Sequence, residues 1–585
     1  MTAREGGQPG DNPPVVCEVA KRGKLLVGEP FFEPRTPIVL DRRTAGEISV
    51  GDLTVVEIGR GRAKVARVLG PSRSVEPVLE GLLYHTGIRP VPELDPAVEA
   101  EAEALPDDPT ADDLARVDLR HLLAFTIDPD DARDFDDAIS VEREGDGLRV
   151  WIHIADVASH VRAGSALDRD AARRALSVYV PGRVEPMLPE RLSAGLCSLV
   201  PHRDRACITV EVPFSGGFER GEPLFYRSVI RSRERLTYSH VEAILTGRER
   251  VGAELDEALR LSQTLAHELR RRRYRRGALR LETGEISFAF DGEGGVERAW
   301  VEAEPLAHAL VEEHMILANE VVAGLLASRR REALFRIHER PDPQAIELLL
   351  TKLEALDVPT PGTSDRLTPG EAAKLVARVS AKVADYTTQT GRGEEAFPAI
   401  VLRALKQARY DPRNLGHSGL ASTAYCHFTS PIRRYPDLIC HRALVRELGL
   451  SDDPPAADLP ELAEWASVRE REAAHVEYAA DAICLAWLLE RRLFDVGWDE
   501  CFEGEVTGVI GSGIFVRFDG VFEGYVPVRR LSGDYFELDA LGIALVGRRT
   551  SRRYRLGDPV AVKVESIDRA SGKVNLALCE KFTPR

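Results

Sequence analysis

No run of 18 apolar residues occurs in the chain, so nothing in it reads as a membrane-spanning helix and no membrane partner is expected. The first 14 residues lack the apolar core of a signal peptide and read as a short disordered tail. There is no C-x-x-C pair. The eight cysteines are scattered, the closest two being Cys197 and Cys207. That argues against a zinc site and a disulfide framework, and for the reduced thiols of a cytoplasmic protein. No G-x-x-x-x-G-K-[ST] occurs either. Gly23-Lys24 and Gly572-Lys573 lack the Ser or Thr that would follow, so no nucleotide cofactor is expected. A surplus of positive charge is also missing, with 78 Lys and Arg against 94 Asp and Glu and a net charge of −16. A basic total is the ordinary mark of a nucleic-acid binder. Its absence does not exclude one, because the local field matters more than the sum. Acids gather at 93–113, and arginines at 270–276, 329–331 and 548–555. Each arginine run, taken alone, reads first as a solvated helix face.

What is present is length and pattern. A chain of 585 residues suits roughly three to five domains. Strand-like runs at 15–19, 24–27, 37–40, 53–58 and 63–68 suggest a small OB-type barrel over 15–88. Phe31 and Phe32 are its stacking candidates, with core packing favoured. Residues 89–117 are acidic and Pro/Ala-rich, a linker with at most a short helix. From 118 to 500 strands alternate with helices. Leu310, Leu317, Val321 and Leu325 mark one face of a helix over 305–331, and Pro305 suits its start. Further helices are expected at 370–388, 396–409, from near Tyr435, and at 460–494. Residues 501–585 repeat the barrel pattern, with Phe515, Phe518 and Tyr525 as candidate base-stacking platforms. The fold class is therefore α+β multidomain: a mixed α/β domain flanked by two OB-type β-barrels.

The stretch T-I-D-P-D-D-A-R-D-F-D-D-A-I, Thr126 to Ile139, sets six carboxylates among the ten residues from Asp128 to Asp137. Side by side they repel and raise one another's pKa. They must fan into water or surround a multivalent cation. Leu122, Leu123, Phe125 and Ile127 before them, and Ala138 and Ile139 after, place the acids at the edge of a core. All-oxygen ligands suit magnesium or manganese. A calcium loop is ruled out, because its fifth and sixth positions are Ala132 and Arg133 rather than an oxygen ligand and glycine.

This segment resembles the catalytic signature of the RNase II/RNase R family of 3′-to-5′ exoribonucleases. So do H-I-A-D-V-A from His153, S-V-Y-V-P-G-R-V from Ser177, P-M-L-P from Pro186, L-S-A-G-L-C-S-L from Leu192, V-E-E-H-M-I-L-A-N from Val311 and Y-C-H-F-T-S-P-I-R-R-Y-P-D-L from Tyr425. The resemblance runs from about 118 to 500 and continues to the end. It implies a cold-shock-like N-terminal barrel, a catalytic RNB domain, and a C-terminal barrel of the type first described in ribosomal protein S-one.

The resemblance assigns metal binding to Asp128, Asp134, Asp136 and Asp137, with Asp136, Asp137 and Arg433 carrying catalysis. Asp130 and Asp131 stay in solvent. Tyr179 matches the family's clamp on the 3′-terminal base. Phe335, Tyr238 and Glu477 line the channel, and Arg434 meets phosphate. A helix-start salt bridge is the competing reading of the arginine pair. Glu312 and Glu313 stand near the site, and His427 and His441 read first as core residues. Two departures are visible: Ser418 replaces an aromatic of relatives and Pro527 a histidine. The implied activity is processive 3′-to-5′ hydrolysis of single-stranded RNA to 5′-mononucleotides by a two-metal-ion, Mg2+- or Mn2+-dependent, cytoplasmic monomer. An inactive RNA-binding regulator, a nuclease for short oligoribonucleotides and a non-nucleolytic metal hydrolase are the alternatives.

Overall fold

The computed structural model describes residues 15–579 apart from 42, 44–47, 59–62, 89–94, 108–115, 282–283, 303, 363–366 and 532. The 1–14 tail and two parts of the acidic linker therefore lie outside the described residues. Strands β1 (Val15–Arg22), β2 (Leu25–Pro30), β3 (Ile38–Val39), β4 (Asp52–Glu57) and β5 (Lys64–Pro71) form one sheet in the order β3-β2-β1-β4-β5. A parallel bridge between Leu40 and Ala63 ties its two ends, so the sheet curls into a barrel. Cys17, Val19, Leu40, Val56 and Val65 fill the inside. Helix α1 (Val75–His85) covers it outside, and Phe31 and Phe32 pack beneath that helix with Tyr84. Helix α2 (Pro96–Ala104) falls within the acidic linker. Its Glu101 accepts from the Ala166 and Leu167 N–H groups at 2.7 and 3.2 Å, capping helix α3 (Ala166–Arg174).

The central domain is built on β6 (Val117–Asp118), β7 (Ala124–Asp128), β8 (Asp137–Glu144), β9 (Gly147–Ala155), β12 (Asp204–Phe214) and β13 (Leu224–Thr237). A small hairpin, β10 (Val178–Val180) and β11 (Arg183–Glu185), stands apart. The long β13 pairs antiparallel with β12 from Leu224 to Arg231, then parallel with β7 from Ser232 to Thr237. The register shifts between Ser232 and Glu234, at the start of the parallel half, and the sheet closes on itself. Its inward face, with Phe125, Ile139, Ile152, Ile154 and Val210, carries the main core. Helices α4 (Tyr238–Leu245), α5 (Ala253–Arg276) and α6 (Pro305–Ser328) pack against it, with hairpin β14 (Ile286–Phe290)–β15 (Val296–Val301) between the last two.

Phe335 is in this core too, 3% exposed on β16 (Phe335–Ile337). The channel-wall role expected for it is thus not available; an aromatic with neighbours on every side cannot meet a base. Helices α7 (Pro343–Ala355), α8 (Pro369–Thr390) and α9 (Ala396–Arg403) follow. α8 opens on a capping box between Thr368 and Glu371. α9 stops short of the expected 409 because β17 (Arg409–Asp411) pairs with β16 instead.

After α10 (Tyr435–Glu447), the 38-residue α11 (Leu459–Val496) spans roughly 57 Å at 1.5 Å per residue. The C-terminal barrel sits on its side. Strands β18 (Phe502–Ile510), β19 (Gly513–Phe518), β20 (Phe522–Pro527), β24 (Pro559–Asp568) and β25 (Lys573–Leu578) close in the order β18-β19-β20-β25-β24. A side sheet of β21 (Phe536–Leu538), β22 (Ala544–Gly547) and β23 (Arg553–Arg555) is attached. Gly572, at φ +66°, docks the barrel. A Cβ there would lie 2.5 Å from the Ala482 carbonyl carbon of α11.

Along β19, Ile514, Val516 and Phe518 face inward while Phe515 and Arg517 face out. Phe518, 1% exposed, lies between Phe502 and Phe522 in the barrel core, which corrects the stacking role expected of it. The cysteine expectation is corrected as well. Cys501 and Cys579 form a disulfide across 78 positions of sequence. Phe502 pairs with Val562 and Val562 with Leu578, so closing the barrel brings together the residues flanking its first and last strands. The other six cysteines are free and buried.

Candidate active site

β7 and β8 run antiparallel, Phe125 opposite Ile139, with the acidic loop between them. Asp128 therefore ends one strand where Asp137 begins the next. Thr237 of β13 lies beside Asp128, which brings Tyr238 to the same edge of the sheet. Arg235 pins the loop by donating to the Pro129 and Asp130 carbonyls, both at 2.7 Å. The 430–434 loop approaches from the other side. Ile432 N–H donates to Asp136 Oδ1 at 2.8 Å, and Arg433 Nε to Asp136 Oδ2 at 3.3 Å and Nη2 to Ser430 Oγ at 3.0 Å. The segment before β10 holds that loop in place: Ser177 N–H donates to the Arg433 carbonyl at 2.9 Å and Tyr435 N–H to the Ala175 carbonyl at 2.8 Å.

Tyr179 links three elements. Its hydroxyl donates to Asp134 Oδ2 at 3.0 Å and its backbone N–H to Glu477 Oε1 of α11 at 2.9 Å. The residue as a whole is still 37% exposed and borders the cavity described next. Tyr238 is covered by His308, their rings stacked at 4.0 Å and 8°.

The acidic loop, the 430–434 loop, Tyr179, Tyr238 and Glu477 meet at one cavity of about 1970 Å³, running between the central domain, α11 and the C-terminal barrel. Asp128, Asp134, Asp136, Asp137, Tyr179, Tyr238, Arg433, Arg434 and Glu477 line it, as do Phe515 and Tyr525 from the barrel. Phe335 and Phe518 do not. Arg434 is held by Asp437 through two bonds of 2.9 and 2.8 Å, so the helix-start salt bridge belongs to it, and Arg433 is the arginine turned to the carboxylates. His441 is a core residue, bonded to the Phe428 carbonyl at 2.7 Å, and His427 is bonded by the Tyr410 hydroxyl at 2.8 Å. Arg548 pairs with Glu537, Arg549 with Asp534 and Arg555 with Asp357 and Asp558, Arg552 lies over the Tyr554 ring, and none of the 548–555 arginines borders the cavity.

The carboxylates sit in an unfavourable field. Burial, with Asp137 close by, pushes the Asp128 carboxyl up to about 8. Burial raises Asp137 to about 6 against the pull of Arg433 and Arg434. It raises Asp136 well above the usual range, opposed by Arg433 and the Ile432 N–H. Asp128 Oδ2 is buried without any hydrogen-bond partner. A buried carboxylate oxygen without a donor, beside three more carboxylates, is a mismatch that a hard divalent cation removes; the donor set fits such an ion.

Three lining features carried weaker signals. Asp481, one turn from Glu477 on α11, is pushed to about 7 by burial and by Glu477 and Glu285. His308 sits four residues after Glu304, one helical turn. Arg298 lies over Trp300 at 4.4 Å on the β14–β15 hairpin. The four- and two-residue spacings were visible in sequence, but their meeting at the cavity was not.

The sequence profile described as RNB domain matches residues 116–449, and that described as S1 RNA binding domain matches 496–578. The chain is 37% identical to ribonuclease R of Escherichia coli over 558 residues, covering 91% of this chain and 66% of that protein. It is 35% identical to ribonuclease R of Aquifex aeolicus over 565 residues, covering 93% and 77%. Among solved structures, Mycoplasma genitalium RNase R in complex with ribose-methylated single-stranded RNA superposes with a TM-score of 0.85. It is 24% identical, with 98% of this chain and 93% of that one covered.

Proposed function

The chain belongs to the RNB-domain family of ribonuclease R, and from that premise we propose that it is a metal-dependent 3′-to-5′ exoribonuclease acting on single-stranded RNA. The observation that carries the reading is the meeting of Asp128, Asp134, Asp136 and Asp137 with Arg433 on one cavity, one buried oxygen of Asp128 being without a partner. Among the described residues no helix is long and apolar enough to cross a membrane.

The 3′ end enters past the C-terminal barrel, where Phe515 and Tyr525 offer base-stacking faces and Arg517 and Lys573 offer charge to phosphates. At the far end the terminal base lies on Tyr179. The Arg433 guanidinium neutralises charge on the scissile phosphate as bonding to phosphorus changes. Asp128, Asp134, Asp136 and Asp137 would hold divalent ions, magnesium being the fit to all-oxygen ligands, and these would supply Lewis acidity and make an attacking water more acidic. Tyr179, bonded to Asp134, fixes that carboxylate's direction. The pairing of Arg434 with Asp437 holds the loop that carries Arg433. Full aspartate content opposes an inactive regulator, and a cavity reaching the barrel opposes a restriction to the shortest oligomers.

The reading is checked on a 5′-labelled RNA duplex with a 3′ single-stranded overhang. With magnesium, the label shortens stepwise from the 3′ end and mononucleotides appear; with EDTA nothing changes. Internal cuts, or shortening from the 5′ end, would overturn it.

Substitutions at Tyr179 separate its two contacts. Tyr179→Ala weakens hold on the terminal base by about 1–3 kcal/mol and lengthens the final undegraded fragment. Tyr179→Phe keeps the ring, leaves that length unchanged, and slows turnover up to about tenfold by freeing Asp134 from a bond worth ~1 kcal/mol. Product lengths on a denaturing gel decide. Equal lengths for the two variants would mean that the ring does not clamp a base.

A further inference from the structure

We propose that Glu302, Glu304 and His308 form a second divalent-cation site on the cavity wall, separate from the aspartate cluster. One carboxylate oxygen from each glutamate and a ring nitrogen of His308 all lie within 4.8 Å of one another. His308 Nε2 is 3.1 Å from Glu302 Oε2; the His308 side chain is 38% exposed, but this nitrogen is itself covered and makes no hydrogen bond of good geometry. The other oxygen of Glu302 is engaged by the Ser287 hydroxyl at 2.6 Å, which aims Oε2 at the imidazole. The ring itself is held flat against Tyr238, so its edge has one direction. A ring nitrogen held beside two carboxylates is a mixed nitrogen and oxygen donor set of the kind a divalent cation takes.

The mixed donors define the ion. Imidazole with carboxylates suits Mn2+ or Zn2+, where all-oxygen sites suit magnesium. Three protein ligands leave coordination positions open, as in sites that exchange ligands. All three residues border the cavity, so those positions face the space the proposed RNA path crosses. That wall is rich in carboxylates, although Arg298 of the β14–β15 hairpin lines it too. Glu285, Glu302, Glu304, Glu312, Glu477 and Asp481 line the same cavity. A polyanion passing them meets repulsion, and an ion at His308 offsets it and offers a phosphate oxygen a ligand position.

The site rests on the same cavity as the proposed activity but not on the aspartates, and the test separates the two. Mn2+ is titrated into the full chain carrying Asp136→Asn and Asp137→Asn, and bound ion is counted by electron paramagnetic resonance. One Mn2+ should remain, and adding Glu302→Gln or His308→Gln should abolish it. Pulsed spectra of the unaltered chain should show coupling to a histidine nitrogen, which no aspartate supplies, and His308→Gln should remove it. If the aspartate-substituted chain binds no Mn2+, or the unaltered chain shows no nitrogen coupling, the site is refuted while the nuclease reading stands. If Glu302→Gln leaves the count unchanged, it is refuted too, and Glu302 and His308 are simply an ion pair.

Discussion

Asp136→Asn should abolish RNA hydrolysis while leaving the fold and RNA binding intact. The carboxylate is 3% exposed, with Oδ1 on the Ile432 N–H and Oδ2 facing Arg433 Nε. An amide of the same size keeps the first bond through its carbonyl oxygen. Its NH2 then faces the guanidinium, donor against donor, and Arg433 loses the partner that orients it. The charge that would help hold an ion disappears as well. Both losses fall on charge stabilisation in the transition state. A deficit of several kcal/mol at ~1.4 kcal/mol per decade puts the rate down by about three to four orders of magnitude. Stability without metal should hold level or rise, because the charged form of Asp136 is already disfavoured by burial. Binding should persist, since the barrel's stacking faces and Tyr179 are untouched. Labelled RNA digested in magnesium gives the rate, filter binding in EDTA gives the affinity, and thermal melting gives the fold. Near-parental digestion would remove Asp136 from the chemistry.

The acidic stretch was legible because its signal is local: six carboxylates cannot share ten residues at a core edge without a cause. The helices were legible for the same reason, their apolar period and caps being written within each segment. Only the family resemblance separated Arg433, to which it gave catalysis, from Arg434; the two residues' own positions in the sequence did not. Asp437, three residues on, engages one of them, and the choice depends on how the loop turns into α10. Phe515 and Phe518 carried an unused clue. In a strand, positions three apart face opposite sides, so only one of the pair can meet RNA. Phe335 carried none, since its burial depends on helices far off in sequence. The Cys501–Cys579 bond and the Tyr179–Glu477 contact, 78 and 298 residues apart, follow from barrel closure and from the path of α11. Neither leaves a trace in composition or spacing.

The same buried acids set how stability responds to pH. In the unfolded chain an aspartate titrates near ~3.9. In the folded, metal-free protein Asp137 holds its proton to about 6 and Asp128 to about 8. Between those values the native state binds more protons than the unfolded one, so stability falls as pH rises. The slope is at most ~1.4 kcal/mol per pH unit for each group. Asp128 and Asp137 both contribute below about 6, together with Asp136 and Asp481, whose carboxyls are raised as well; Asp137 drops out above about 6 and Asp481 above about 7, so the decline is steeper in the lower half. A divalent cation reverses the trend, because it takes the ionised carboxylates. Its stabilisation therefore grows across the same window as fewer protons must be displaced. Melting temperature in EDTA should drop from about pH 5 to pH 8, and the gain on adding magnesium should widen. Asp128→Asn isolates one group. Its melting temperature in EDTA should exceed the parent's by a margin that grows with pH and levels off above about 8. A constant margin would mean that Asp128 is ionised in the folded protein throughout. The buried, partnerless oxygen would then be satisfied by something other than a proton or a metal ion.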